Sequence, residues 1–371
     1  IAADGNTAII GANQDNTTYG AACIFTQSNG SWSQQGSKLV PVSNDNDNGF
    51  GYSVSICANG NTVAIGNNRD KGAIVYSKQN GVWTQQGNPL KGNDANGKSS
   101  YQGYQVAISG DGSTIIEGGY WDDPVGAAWI FTLSGGVWKQ QGTKLVGSNS
   151  IVNGPFSHQG SSVALSYDGN IAVVGSYTDN NNTGAIWYFS RTNGVWTEQQ
   201  KIIPNDPSGT LVHFGDWGTC SISWDGNIIV VGGDRNANDL GAAWIFKNTP
   251  LEVCSRSNKT FTSNIAGNTY QWQVDVNDGN GFINISNDAN YAGATTLSIQ
   301  LNNIPSSWNG YKYRCIINGG ANYSCILTLK ISSYWNGTIN NKWEEEGNWS
   351  CGRLPDKYTD VYINSGVPNY P

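Results

Sequence analysis

Nine side chains in this sequence have the chemistry of a recognition site: Asp15, Asp70, Trp121, Asp122, Asp123, Tyr177, Asp179, Asp234 and Asp239. They lie in stretches rich in Asp, Asn and aromatic residues, such as "NQDNTTY" at 13–19, "NNRDK" at 67–71, "GGYWDDPV" at 118–125, "YTDNNNT" at 177–183 and "GDRNANDL" at 233–240. Planar amides and carboxylates hydrogen-bond sugar hydroxyls while a neighbouring Trp or Tyr ring stacks on the sugar face, so these residues are candidates for binding a glycan or a protein ligand. Asn and Asp also fill loops simply because they tolerate turn conformations. "NDNDNG" at 44–49 alternates Asp45 and Asp47 before a glycine in the manner of a calcium loop, without the downstream bidentate Glu, and makes calcium the candidate ion. His158 and His213 are the only histidines, and their spacing is not that of zinc ligands, so both are expected to be structural. With no Gly-rich phosphate loop and no nucleophile elbow in the chain, no enzyme is expected.

The elements that must position these loops are announced by a repeat. "VSICANGNTVAIGN" at 54–67 returns as "AISGDGSTIIEGG" at 107–119, "ALSYDGNIAVVGS" at 164–176 and "SISWDGNIIVVGG" at 221–233, and a shortened copy, "AADGNTAIIGA", opens the chain. The turn glycines Gly5, Gly60, Gly112, Gly169 and Gly226 are spaced by 55, 52, 57 and 57 residues. Each unit reads as four short β-runs separated by turn signals, a sheet that must pack against copies of itself to bury both faces. Asp-Gly and Asn-Gly supply the positive φ of tight hairpin turns. The expectation is a β-propeller of five recognisable blades over residues 1–249, lacking one first strand and one fourth strand that ring closure would supply. Two further blades upstream would give seven. Tight turns then emerge on one face, and the long connections, including "SNDNDNGF" at 43–50, "NDANGKSSYQ" at 93–102 and "NDPSGTLVHF" at 205–214, share the other.

Composition agrees with an all-β class. Of 371 residues, 48 are Gly, 15 Trp and 18 Tyr, none is Met, and 13% are charged, which disfavours long surface helices. A net charge of -7 with no basic stripe excludes nucleic acid as a partner, and the apolar runs are strand-sized, so no membrane insertion is expected. Ile1 falls inside a repeat unit, which suggests a mature or trimmed fragment. Cys23, Cys57 and Cys220 are expected as buried thiols on strands, and Trp32, Trp83, Trp138 and Trp196 as packing residues on the fourth strands.

"FGYSVSICANGNTVAIGN" followed by "KGAIVYSKQNGVWTQQG" resembles the FG-GAP family of β-propeller repeats. In calcium-binding members the hairpin carries a longer acidic loop. Here "SGDGST" and "SYDGN" offer too few oxygens for a coordination number of about six to eight.

After "KNTP" at 247–250 the period stops, and "YQWQVDV", "TLSIQL", "YKYRCIING" and "CILTLKI" read as an immunoglobulin-like β-sandwich over residues 250–332. Trp272 suits its core, and Tyr313, two residues before Cys315, suits a tyrosine corner. The segment is similar to immunoglobulin-like modules of large secreted proteins of Bacteroidota. Cys254 then has two alternative partners, Cys315 across the sandwich or Cys325 on the last strand. Residues 333–371, with "NWSCGRLP" and "DVYI", resemble the start of a further β-rich module of such proteins, many of which leave the cell by type IX secretion. The resulting expectation is a modular extracellular or cell-surface protein whose propeller binds a glycan or protein ligand on a sandwich stalk. The alternative is a structural subunit that associates with copies of itself in an extracellular filament or appendage.

Overall fold

The computed structural model describes residues 1–371 except 16–18, 43–48, 97–98, 152–156, 205, 209–210, 248–250, 264–266, 321 and 324–326, and except the side chains of 238–239, 320 and 322–323. Asp45, Asp47 and Cys325 therefore lie outside the described residues. Strands make up 46% of the chain and helix 4%, so the protein is all-β. It divides into two compact units, Ile1–Lys247 and Asn248–Pro371.

The first unit contains five antiparallel sheets in chain order. They are β1 (Thr7–Ala12), β2 (Ala21–Ser28) and β3 (Ser31–Gln34); β4 (Phe50–Ile56), β5 (Thr62–Asn67), β6 (Gly72–Gln79) and β7 (Val82–Gln85); and β8 (Gln105–Ile108), β9 (Thr114–Gly119), β10 (Ala127–Ser134) and β11 (Val137–Gln140). Then come β12 (Ser162–Leu165), β13 (Ile171–Ser176), β14 (Ala185–Thr192) and β15 (Val195–Ile202), and finally β16 (Cys220–Ile222), β17 (Ile228–Gly233) and β18 (Ala242–Lys247). Each sheet pairs its strands in sequence order, as successive hairpins do.

The repeated phrase is explained by its turn. In "SGDG" the Asp111 carboxylate accepts the Ser113 N–H at 2.9 Å and the Ser109 hydroxyl at 2.5 Å, and Asp168 and Asp225 do the same with Asn170 and Ser166 and with Asn227 and Ser223. Cys57 takes the serine's place in the second sheet, its thiol donating to Asn59 Oδ1. The adjacent glycine then turns with φ of 69° to 75° at Gly60, Gly112 and Gly226.

The strands are apolar on both sides because successive sheets cover one another. Ala22 and Ile24 pack on Val63, Ile65, Ile74 and Tyr76; Ala64, Ala73 and Val75 on Ile115, Trp129 and Phe131. Ile116, Ala128 and Ile130 meet Val174, Trp187 and Phe189, and Val173 and Ile186 meet Ile229 and Val231. The two outermost faces break this rule. Ile10 on β1 is 55% exposed where Ile65, Val174 and Val231, at the same register, are buried. Ile245 on β18 is 72% exposed where Ile24, Val75 and Ile130 are buried. Both are shaped to be covered and are bare.

One position of this buried register is polar. Glu117 on β9 occupies the register of Ile65 and Val174, is fully buried, and accepts the Ala73 N–H on Oε2 at 2.8 Å while its Oε1 has no hydrogen-bond partner. Burial pushes its carboxyl well above the usual range, against the lowering effect of the Ala73 and Gly92 N–H groups. A folded-state value raised above the unfolded 4.5 contributes stability that is complete below pH 4.5 and is lost as pH rises through the folded value. Glu117→Gln, which keeps an acceptor for Ala73 and carries no charge, is therefore expected to be the more stable protein at pH 8, by about 1 kcal/mol or more, with the gap closing below pH 4.5. Thermal melts of the two proteins across pH check this; a gap that is constant or widens on acidification counts against it.

The second unit is a sandwich. One sheet holds β19 (Leu251–Val253), β21 (Tyr270–Asp275), β22 (Ile283–Asn284), β25 (Lys312–Ile317), β26 (Asn322–Tyr323), β27 (Leu327–Trp335) and β28 (Asp360–Ile363). The other holds β20 (Lys259–Thr262), β23 (Tyr291–Ala292) and β24 (Ser298–Leu301). Trp272, Tyr313, Cys315, Phe261, Ile299 and Leu301 fill the core between them. Tyr313 hydroxyl faces Tyr291 hydroxyl at 3.3 Å.

The structure corrects both alternatives for Cys254, which bonds to Cys351 with Cα atoms 5.5 Å apart. The reason is topological. β19 and β25 belong to one sheet with β27 between them, so Cys254 and Cys315 do not face each other across the sandwich. At about 4.8 Å per strand, two strands' spacing exceeds the Cα reach of a disulfide, about 7 Å. β27 also runs through the expected boundary at 332, and β28 pairs with its second half, so residues 333–371 continue the sandwich sheet.

Candidate functional site

The chain enters the second to fifth sheets through a short segment with a fixed pattern: Gly49-Phe50-Gly51-Tyr52, Tyr101-Gln102-Gly103-Tyr104, His158-Gln159-Gly160-Ser161 and His213-Phe214-Gly215-Asp216. Its glycine passes so close to the preceding sheet that a Cβ on the facing Gly11, Gly66 or Gly118 would lie 2.0 to 2.3 Å from the carbonyl oxygen of Gly51, Gly103 or Gly160. Gln102 and Gln159 anchor the segments by receiving the N–H of Gly92 and Gly147 and donating back to their carbonyls. The first residue of each segment is left-handed, with φ of 58° at Tyr101, 61° at His158 and 54° at His213. Bulky residues in this region cost about 1–3 kcal/mol each and concentrate at functional sites.

These residues converge. Tyr52 stacks toward Tyr104 at 4.8 Å, Tyr104 meets Tyr120 at 4.4 Å, and Tyr120 meets Tyr101, Trp121 and His158. His158 lies parallel to Tyr177 at 5.0 Å, and Tyr177 presents an edge to His213 and to Trp217. Trp217 in turn touches Tyr104 at 6.0 Å, so the entry segments of the third and fifth sheets meet through one indole. Trp121 and Trp217 stand out from this floor, 40% and 54% exposed.

The centre of the floor is uncharged. Burial pushes His158 down to about 4, leaving a neutral imidazole at pH 7, and pushes the Tyr120 hydroxyl up to about 12 and those of Tyr104 and Tyr177 upward as well. Charge sits at the rim, where Asp216 and Asp234 flank His213 Nδ1 at 3.7 and 3.3 Å. A separate cleft of about 670 Å³ between β7 and β11 is lined by Lys91, Lys139 and Trp138 and has no carboxylate.

Of the nine candidates, Trp121, Tyr177 and Asp234 lie in or beside this floor. Asp123 is exposed next to Trp121, and its carbonyl accepts the Asn96 side-chain amide at 3.0 Å. Asp15, Asp70, Asp122 and Asp179 are occupied otherwise, each in an ion pair with a lysine of its own sheet: Lys38, Lys91, Lys144 and Lys201. Asp122 and Asp179, both fully buried, also receive the N–H groups of Asn96 and Ile151, and Asp70 that of Gln102, so these carboxylates tie one loop to the neighbouring connection. The fifth sheet has three strands and no such lysine, and the equivalent position is the neutral Asn236, whose backbone carbonyl receives the Gly241 N–H as Asp179 receives that of Gly184. The Asp239 side chain lies outside the described residues. Trp83 and Trp196 donate across to Gln35 and Gln141 of the preceding sheet, as packing residues would.

Sequence reasoning missed Tyr52, Tyr101, Tyr104, Tyr120, His158, His213 and Trp217. The available signal was the position before each Phe-Gly or Gln-Gly pair, occupied by an aromatic ring in three of four copies.

No protein-family model and no curated protein matches the chain. Among solved structures it is similar to TolB from Acinetobacter baumannii, at 10% identity and TM-score 0.38, over 88% of this chain and 66% of that one, just under two thirds. It is similar to a putative 6-phosphogluconolactonase from Bacteroides fragilis at 14% identity and TM-score 0.34, over 65% and 77%. A functionally unknown protein from Desulfotomaculum acetoxidans gives 11% identity and TM-score 0.41 over 89% and 88%.

Proposed function

We propose that the first unit is an FG-GAP-type β-propeller, part of a modular extracellular protein, and that its aromatic face binds a glycan. The observation that carries this reading is the continuous floor of nine rings, neutral at its centre, with Trp121 and Trp217 raised from it. Indole and phenol faces stack on the C–H faces of sugars, and the rim carboxylates accept hydroxyls. A floor without cations does not suit a phosphate backbone. The Cys254–Cys351 disulfide supports an oxidising compartment, and no helix among the described residues is long and apolar enough to cross a membrane.

The bare faces at Ile10 and Ile245 favour a second reading, association with further copies in a structural assembly. One preparation tests both. Under the first reading a glycan array yields a ligand whose affinity falls about tenfold or more in Trp217→Ala and Trp121→Ala, and light scattering gives the mass of one chain. Multiples of that mass without any glycan ligand would replace the first reading by the second. A glycan bound equally by both variants would move the site elsewhere.

A further inference from the structure

We propose that His213, Asp216 and Asp234 form a binding site for a divalent transition-metal ion of the zinc class. The bridge between Phe214 and Gly233 places the residues flanking them, His213 and Asp234, side by side, and the Asp216 N–H donating to the His213 carbonyl folds Asp216 back toward the same point. Their donor atoms all lie within 4.8 Å of one another, the group of this kind found among the described residues.

The separations identify a ligand set. Both carboxylates approach the same imidazole nitrogen, Nδ1, at 3.3 and 3.7 Å. A hydrogen bond to that nitrogen would measure about 2.7–3.2 Å, and one proton there serves one carboxylate well, not two. Two ligands of one tetrahedral ion, each bonded at about 2.0–2.1 Å, stand about 3.3 Å apart, which is the separation of Asp234 from Nδ1, while Asp216 at 3.7 Å would have to close in slightly. An imidazole nitrogen among the donors favours zinc, copper, iron or nickel over calcium, which takes oxygen ligands. Three protein donors leave a fourth position open.

Calorimetric titration of chelator-stripped protein with Zn(II), paired with the visible absorption of a Co(II) complex, tests the site. One ion per chain is expected, with a four-coordinate cobalt spectrum. Asp234→Ala, at an exposed position whose loss does not threaten folding, is expected to weaken binding about tenfold or more. His213→Asn, which tolerates the left-handed backbone, is expected to abolish it. Absence of zinc binding at micromolar concentration in the wild type, or binding unchanged in both variants, overturns the assignment. The result is independent of whether any glycan binds.

Discussion

Trp187→Ala lowers the stability of the first unit by about 3–5 kcal/mol in equilibrium denaturation. The indole is fully buried between the third and fourth sheets, against Ile116, Ile130, Leu145 and Val174. Its Nε1 donates to the Ser148 carbonyl at 2.8 Å, and the Lys201 ammonium stands 5.1 Å above the ring. Gly147 lies flat against it, so close that a Cβ there would be 2.2 Å from the indole Cγ. Truncation removes the ring from a slot whose walls are two sheets and a glycine backbone, which cannot collapse inward. Trp32→Ala, at an exposed position on β3, is the matched control and should change stability by less than about 0.5 kcal/mol. Circular dichroism in urea reads both. A loss below about 1 kcal/mol in Trp187→Ala would show that this ring does not hold the two sheets together.

Breaking the Cys254–Cys351 bond has a comparable effect confined to the second unit. The bond closes a loop of 97 residues, most of the unit. Loop-closure entropy assigns such a cross-link about 4–5 kcal/mol, and removal of native disulfides costs about 2–5 kcal/mol in practice. It ties the end of β19 to the segment after Trp349, two stretches that otherwise attach to the sandwich through short strands or single bridges. Cys351→Ser, or reduction of the wild type, is therefore expected to move the second unit's unfolding transition to markedly lower denaturant. The first unit, whose Cys23, Cys57 and Cys220 form no disulfide, should unfold unchanged. Coincident shifts of both transitions, or none, would contradict this.

The first unit's sheets were legible because their causes are local. A Ser-x-Asp-Gly turn or its Cys-x-Asn-Gly variant, a short apolar run and a following glycine recur at a near-constant interval, and each determines its hairpin without reference to distant residues. The site was legible only in part, because its chemistry depends on which distant residues meet. Asp122 and Lys144 are separated by 22 positions, and nothing in "WDDP" alone says that one carboxylate points inward to a lysine. The recurrence of Lys38, Lys144 and Lys201 just before a buried aliphatic residue was the overlooked clue. His213 and Asp234 become neighbours only through the strand pairing of Phe214 with Gly233, which no spacing rule for zinc ligands describes. Cys254 was misassigned for a similar reason: sheet membership of β19, paired parallel to β27, is not written in its three residues.

The second sheet solves the lysine problem differently. Pro89 stands before Leu90 where Lys38 and Lys144 stand before Leu39 and Leu145, and Lys91, just after Leu90, reaches Asp70 instead. Requirement therefore attaches to a point in space, and either side of the aliphatic pivot can deliver an ammonium to it. Moving the ammonium from one side of the pivot to the other therefore keeps the carboxylate paired as long as one of the two positions carries a lysine, and the pair at Asp70 and Lys91, partly exposed on both sides, is where such a change costs least.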